Sequence, residues 1–413
     1  MALLSPDEAR EWVVSNCAPH PVVDLPLADA LGCVLAEPVV STEAVPPFAN
    51  TAMDGYAVQA ADTTAANASG PVELQVIGTI PAGAEPNVTV RPGTAVRIMT
   101  GAAMPDGADA VVPVENIERT SPEATSVRIL RAATVGDCIR PAGEDVGSGQ
   151  PLFEPGTELT PGHLGVLASI GAVTVRARRR LRVGVLSTGD ELIAAPTPLR
   201  IGQIRDSNRH TLLGLVRRLG MDAVDLGLAR DNADEIEAKV LDAVATCDAL
   251  VTSGGVSMGD FDFVKAVLDR LSQAQGTPMR WMQIAIKPAK PLAFGVIRGV
   301  PVFGLPGNPV SCMVSFELFA RPGLRRMLGH LPAHQEHRPI LGVADEDLRR
   351  TPDGKTHFAR VRTDFGADGR LHVRSSGGQS SNLLRAMADA NALAVLPDGP
   401  TISAGASVHV LLL

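Results

Sequence analysis

Between Leu181 and Ala320 the chain alternates short continuous apolar runs with segments whose apolar residues recur at helical spacing, and that rhythm leaves few architectures open. Leu181–Leu186, Val224–Leu228 and Ala249–Thr252 read as buried strands. Between and after them, Leu212, Leu215, Val216 and Leu219, then Ile236, Val240 and Val244, then Val264, Val267 and Leu268 mark one face of successive helices, and Gly220 sits where the first should stop. Strands at Ile284–Ile286, Leu292–Val296 and Val300–Leu305 and a helix from Val310 to Ala320 complete the region. Strands separated by helices are joined by crossovers, so the expectation is a doubly wound α/β unit, a parallel sheet with helices on both faces. Ligands of such sheets bind outside the carboxyl ends of the strands.

The flanking regions read differently. Ser5-Pro6-Asp7-Glu8 has the form of a capping box, and Ala9, Trp12 and Val13 supply an apolar helix face. From about residue 36 to 176 the apolar runs are short (Val72–Ile77, Ala95–Ile98, Ala110–Val114, Val127–Leu130) and separated by Gly/Pro turns, which predicts mainly β structure. Within it, the Ala-rich, polar stretch Gln59–Ser69 reads as a surface loop, and the Arg-rich stretch Arg176–Arg182 at its end as a solvated linker before a strand. His330, His334 and His337 have helix-face spacing, but Pro332 lies among them, so a polar linker is expected there and not a metal site. From Ile340 onward, Phe358–Arg362, Leu371–Arg374, Leu393–Leu396 and Val408–Leu413 predict a small β module.

Several function classes drop out. A net charge of −8 and 3% aromatics argue against a nucleic-acid surface. No apolar stretch reaches 18 residues, and the start MALLSPDEAR lacks the basic and apolar regions of a secretory leader, so no membrane association and a cytoplasmic location are expected. Cys17, Cys33, Cys138, Cys247 and Cys312 are scattered without a CxxC pair, which disfavours a disulfide framework and a cysteine zinc site. There is no GxxxxGK[ST] loop and no GxGxxG after the first strand of the α/β region.

Three Gly-containing junctions follow strands of the α/β region: Ser187-Thr188-Gly189-Asp190-Glu191; Ser253-Gly254-Gly255-Val256-Ser257-Met258-Gly259-Asp260, with Asp262 beyond it; and Gly304-Leu305-Pro306-Gly307-Asn308-Pro309-Val310-Ser311. Each alone is what any α/β protein needs at a turn; together they suit oxyanions bound by backbone N–H groups. Lys287-Pro288-Ala289-Lys290-Pro291 places two lysines in a proline-stiffened loop, fit for a tetrahedral oxyanion or for an ordinary basic hairpin. Asp190, Glu191, Asp206, Asp231, Asp260 and Asp262 recur beside these features; carboxylates next to phosphate call for a cation such as Mg²⁺, or else serve as helix caps. Asn50–Ala57, with the only tyrosine beside an Asp-Gly turn, and Arg97–Ala102 each read alone as β-turns.

Taken in order, the stretches NTAMDGYA (50–57), RIMTGAAMPDGADAVV (97–112), RPAGEDV (140–146), STGDEL (187–192), GQIRDSN (202–208), TSGGVSMGDFDFVK (252–265), IKPAKP (286–291) and GLPGNPVS (304–311) resemble the molybdopterin molybdenumtransferase family, which includes MoeA and the gephyrin E domain. The resemblance covers nearly the whole chain. It implies insertion of molybdate into the dithiolene of adenylylated molybdopterin, cleavage of the pyrophosphate bond and release of AMP and molybdenum cofactor, with Mg²⁺ as cofactor. It implies catalytic roles for Asp54, Thr100, Asp145 and Glu191, and Mg²⁺ ligation by Asp231, Asp262 and Glu191. Substrate binding falls to Ser187, Thr188, Gly189, Ser253, Gly254, Gly255, Lys287, Lys290, Pro306, Gly307, Asn308, Pro309, Ser311, Arg360, Ser380 and Ser381, of which Lys287, Lys290, Ser311 and Arg360 hold molybdate.

The implied fold is an α/β and β multidomain chain. A split N-terminal domain (1–45 with 140–177) carries an inserted β domain (46–139), followed by a Mog-like doubly wound α/β domain (178–329) and a C-terminal β-barrel-like domain (330–413). A homodimer is implied, with an adenylyltransferase and a molybdoenzyme chaperone as partners. Two positions depart from the family: Ala289 stands where glycine is usual, and Gln283 where Lys or Arg is expected. A molybdopterin adenylyltransferase and a non-catalytic scaffold like the gephyrin E domain are the rival readings, and no residue separates molybdate from tungstate.

Overall fold

A computed structural model describes residues 3–118, 121, 124–256, 263–274 and 278–413. The α/β region is built on a six-stranded sheet ordered Asp222–Ala229, Arg182–Thr188, Ala249–Ser253, Val300–Leu305, Pro291–Ile297, Arg280–Gln283. The first four strands are parallel, as expected; Pro291–Ile297 pairs antiparallel with both of its neighbours. The departure has a local cause: Pro291–Ile297 and Val300–Leu305 are joined only by Arg298 and Gly299, both at positive φ, and so short a connection makes a hairpin.

Side-chain alternation along the strands sorts the core into two layers. Val183, Val185, Phe303 and Leu305 pack with Leu212, Val216, Phe316 and Phe319 on one face. Leu186, Leu250 and Val302 pack with Ile236, Val240, Val264 and Leu268 on the other. The helix expected at Val310–Ala320 runs on to Met327, with a π-helical turn over Phe316–Ala320 before Pro322, whose nitrogen has no hydrogen to donate. The strand expected at Ile284–Ile286 is two pieces. Arg280–Gln283 ends the sheet, and Ile286–Lys287 leaves it to pair in parallel with Thr356–His357.

The β-rich stretch contains a five-stranded sheet ordered Ala110–Pro113, Gly55–Val58, Thr94–Ile98, Val72–Ile80, Ser126–Ile129, with buried side chains on both faces. Val22–Pro26 and Val34–Leu35 flank Thr174–Arg178 in a separate sheet, so chain from before and after the five-stranded sheet comes together. One expectation is refined here and two are corrected. The stretch read as mainly β contains the helix Pro161–Ser169, capped by Thr160, with Pro161 in the first turn and His163 closing the box. The Arg-rich stretch is no free linker: Arg176 pairs with Asp24 and Glu37, Arg179 grips Asp248, and Arg178 donates to the His20 carbonyl. Gln59–Ser69 is more structured than a surface loop, with a 3₁₀ turn at Ala60–Thr63 and Thr63 buried.

The capping box of the first helix, Pro6–Ser15, forms as read, with Ala9 and Val13 buried. Trp12 stays 40% exposed because it turns outward under the Arg280 guanidinium, 4.6 Å from the ring centre. The histidines after the α/β region are not a polar linker either. His330 is buried, and burial, with Arg325 beside it, brings its pKa down to about 3. His337 Nε2 lies 2.8 Å from the buried Glu317 carboxylate. Among the described residues no group of three or more metal-type side chains gathers, and no helix is long and apolar enough to cross a membrane.

The C-terminal strands close on themselves. Thr356–Phe365 pairs with Leu371–Ser375, which pairs with Ile340–Ala344; that strand pairs with Ser407–Leu412, which pairs with Ala392–Leu396, and this returns to Thr356–Phe365. Val361, Val373, Ala394, Val408 and Val410 fill the interior. Closure leaves the ring without an unpaired edge.

Candidate functional site

The three Gly-containing junctions emerge side by side. Arg182–Thr188, Ala249–Ser253 and Val300–Leu305 are neighbours in the sheet, and Ser253 is in register with both Ser187 and Leu305. Asn208 ties the second and third together, its Nδ2 donating to Ser253 Oγ and to the Gly307 carbonyl, both at 2.7 Å. Ser187 Oγ donates to the buried Asp206 at 2.9 Å. Gly254 has to be glycine: its φ is +94°, and a Cβ there would lie 2.7 Å from the Thr188 carbonyl oxygen. Asn308 and Pro309 take the cap and first-turn positions expected of them, but the Asn308 side chain makes no capping bond.

Two acidic turns meet at the same edge. Asp190 N–H donates to Asp231 Oδ2 at 3.3 Å, and Asp231 N–H to Asp190 Oδ1 at 3.2 Å. Glu191 is exposed and folds over Gly189, where a Cβ would fall 2.4 Å from its Oε2. Asp262, with Ser257 and Asp260, lies outside the described residues.

Beyond this edge, between the sheet and the barrel, is a cleft of about 1160 Å³. Lys287, Lys290, Asn308, Ser311, Arg360, Ser380 and Ser381 all line it, so the residues expected at the oxyanion are brought together. The pairing of Ile286–Lys287 with Thr356–His357 positions the lysine hairpin against the barrel, and Val310 N–H donates to the Ser381 carbonyl at 3.1 Å, joining the helix start to the serine turn. Ala289 between the lysines has φ +77°. Arg360 is fully buried; its Nη2 donates to the Gly378 and Ser380 carbonyls at 2.7 and 3.1 Å. Its Nε is buried without a protein partner. Burial lowers the Arg360 pKa, yet a guanidinium remains charged, and its Nη2 alone is engaged by these carbonyls, so its other N–H groups are left for an anion.

Asp347, Arg349, Arg350, Lys355, His357 and Gln379 also line the cleft and were not singled out from the sequence. The adjacent pair Arg349-Arg350 and the basic Lys355-Thr356-His357 just before Arg360 were the available signals. Six Lys and Arg side chains and one carboxylate, Asp347, line the cleft; Arg350 and Lys355 are paired with Asp398 and Asp353, which leaves the lining still cationic in a chain whose net charge is −8. That asymmetry concentrates positive potential in the cleft and draws anions.

Other expected residues stand elsewhere. Thr100 donates its N–H and its hydroxyl to Asp54 Oδ1, which holds the exposed carboxyl below its ordinary pKa. Asp145 is exposed, its N–H donating to the Val45 carbonyl at 3.0 Å. None of the cleft lining comes from residues 46–139, and Asp145 is not part of it.

Comparison with known proteins agrees with this layout. Residues 4–171 match the MoeA N-terminal region (domain I and II), residues 184–326 a "probable molybdopterin binding domain", and residues 343–413 the MoeA C-terminal region (domain IV). The chain is 40% identical to molybdopterin molybdenumtransferase 2 of Mycobacterium tuberculosis, covering 94% of each. It is 37% identical to the molybdopterin molybdenumtransferase of Haemophilus influenzae, covering 99% of this chain and 98% of that one. A crystal structure of the molybdopterin biosynthesis MoeA protein of Pyrococcus horikoshii superposes with a TM-score of 0.77 at 31% identity, covering 100% of this chain and 99% of that one. With family matches along most of its length and relatives of this identity spanning it almost end to end, the chain belongs to the MoeA family.

Proposed function

We propose that the chain is a molybdopterin molybdenumtransferase, which inserts molybdate into adenylylated molybdopterin and releases AMP and the molybdenum cofactor as the pyrophosphate bond is cut. The observation that carries this reading is the buried Arg360, with N–H groups left over, in a cleft shared with Lys287, Lys290, Ser311, Ser380 and Ser381. Two ammonium groups on a stiff hairpin and one guanidinium neutralise a tetrahedral dianion, and the serine hydroxyls fix its orientation. Backbone N–H groups of the turns at Ser187–Gly189, Ser253–Gly255 and Pro306–Ser311 take the pterin and its phosphates at the carboxyl edge of the sheet.

The acidic turns supply oxygen donors of the kind Mg²⁺ takes. Asp190 and Asp231 are brought together, Glu191 lies in the same loop as Asp190, and all three offer only the oxygen donors that this ion prefers. Asp231 and Glu191, with Asp262, would hold it; when bound, the ion would offset the charge of the pyrophosphate and of the departing AMP phosphate. Asp54 and Thr100 act at the chemical step with Asp145 and Glu191. Since none of the first three lines the cleft of its own chain, a second copy supplies them, which makes the working form a homodimer. The domains divide at residues 45, 139, 177 and 329. The enzyme works in the cytoplasm, receiving its substrate from an adenylyltransferase and passing its product to a molybdoenzyme chaperone.

The test is AMP release from adenylylated molybdopterin, with and without molybdate and Mg²⁺, by the wild type and by Lys287→Ala and Asp54→Ala. Molybdate-stimulated release that both variants lose supports the assignment. A wild type that releases no AMP, or that instead adenylylates molybdopterin with ATP, overturns it.

A further inference from the structure

The roles assigned above leave the wall of the cleft beside Lys287 without a function. Lys287 and His357 are register partners in a parallel strand pair, and partners in adjacent strands project to the same face, so ammonium and imidazole stand side by side. Both line the cleft. His357 is 12% exposed, and its Nε2 lies 3.0 Å from Asp353 Oδ1. Among the described residues no protein hydrogen bond reaches its other nitrogen, Nδ1.

That arrangement fixes what the ring can offer. A carboxylate only accepts, so Nε2 carries a hydrogen toward Asp353. In the neutral ring Nδ1 then presents a lone pair, which repels an anion held at Lys287. In the cationic ring it presents an N–H, which binds one. Slight burial acts to raise the Asp353 pKa, but hydrogen bonds from His357 and Lys355 outweigh it and bring it to about 2, so Asp353 is ionised at any working pH.

The surroundings are charged on every side but one. Lys355 and Asp353 lie in the loop just before the strand, and Lys287 faces the ring from the paired strand. Arg350 reaches Asp353 and Asp398 from the barrel rim, where Arg349 and Asp347 also stand. The other neighbouring strand presents Leu396, which is apolar.

We propose that His357 is a further anion-binding residue of this cleft and makes oxyanion capture proton-linked, one proton passing from solvent to Nδ1 as the oxyanion seats beside Lys287. This rests on the reading that the cleft holds molybdate.

Isothermal titration of the full-length protein with sodium molybdate at pH 6 and pH 8, each in two buffers of different ionisation enthalpy, measures affinity and proton uptake together. His357→Gln keeps an amide donor for Asp353 but takes up no proton, and Lys290→Ala serves as the control for the seat itself. The expected result is binding about tenfold tighter at pH 6 than at pH 8 in the wild type, with net proton uptake, and less than about a twofold difference in His357→Gln. Wild-type binding that is equal at the two pH values without proton uptake overturns the proposal, and so does a His357→Gln protein that keeps the tenfold difference. If the wild type binds no molybdate at either pH, or Lys290→Ala binds as tightly as wild type, the reading of the cleft falls and takes the proposal with it.

Discussion

Thr100 donates both its backbone N–H and its hydroxyl to a single oxygen of Asp54, each at 2.7 Å. Asp54 lies in the turn before the strand Gly55–Val58 and Thr100 just after Thr94–Ile98, and these two strands pair antiparallel, so the sheet itself brings donor and acceptor together. The two bonds hold the carboxyl below its ordinary pKa. Thr100→Val keeps the N–H and removes the hydroxyl. The Asp54 midpoint, followed by carboxyl-carbon NMR, is expected to move upward in this variant, and AMP release to fall about tenfold. An unchanged midpoint would show that the hydroxyl is not part of the Asp54 environment.

Arg360→Lys removes the guanidinium fork while keeping a cation. The carbonyls of Gly378 and Ser380 lose their donor inside the cleft wall, and the N–H groups left for the anion are gone. Buried acceptors without partners cost about 1–3 kcal/mol, so a loss of that size in urea unfolding is expected. Molybdate affinity is expected to fall about a hundredfold, measured by calorimetry at the pH of tightest wild-type binding.

Ala289 occupies a conformation that suits glycine, with φ +77°. A non-glycine residue there costs about 1–3 kcal/mol, whereas burying its methyl group offsets about 0.8 kcal/mol of that. Ala289→Gly is therefore expected to stabilise the protein by about 0.2–2 kcal/mol in urea unfolding, with the lysines kept in place. Destabilisation would mean that methyl packing outweighs backbone strain at this turn.

His372 carries a pH dependence of known sign. Hydrogen bonds to Asp345 and Asp368 raise its pKa above the ordinary histidine value. A raised folded-state pKa gives a contribution fully present below the unfolded-state pKa and lost as pH rises through the folded-state pKa. The wild-type melting temperature is expected to fall more between pH 6 and pH 8 than that of His372→Gln, as read by differential scanning calorimetry. Parallel curves for the two proteins would remove His372 from the account.

Much of this was legible in the residues because much of it is local. The strand Val300–Leu305 and the box at Ser5 and Glu8 depend only on neighbours in sequence, and each forms where its residues indicate. The helix Pro161–Ser169 carried its own signal, a Thr-Pro start, but its Gly-containing sequence sits among turns and was absorbed into them. What local pattern could not supply was pairing at a distance. Nothing around Ile286 announces that the chain leaves one sheet for another, because register is decided by the partner strand. Arg349, Lys355 and His357 escaped for the same reason: they become cleft residues only once the barrel closes beside the lysine hairpin. Likewise, His330 resembles a solvated residue in sequence and is buried only by how Arg321–Met327 and Pro332–Gln335 fold back on each other.

The two-residue splice of Ile286–Lys287 onto Thr356–His357 makes the lysine hairpin common property of sheet and barrel. A barrel that swung away would have to unzip that ladder first, and in doing so would draw Arg360 and both serines off one side of the cleft while the ammonium groups lost their backing on the other. If the cleft holds the proposed oxyanion, capture and docking are a single event: whatever loosens the joint between sheet and barrel spills the cargo.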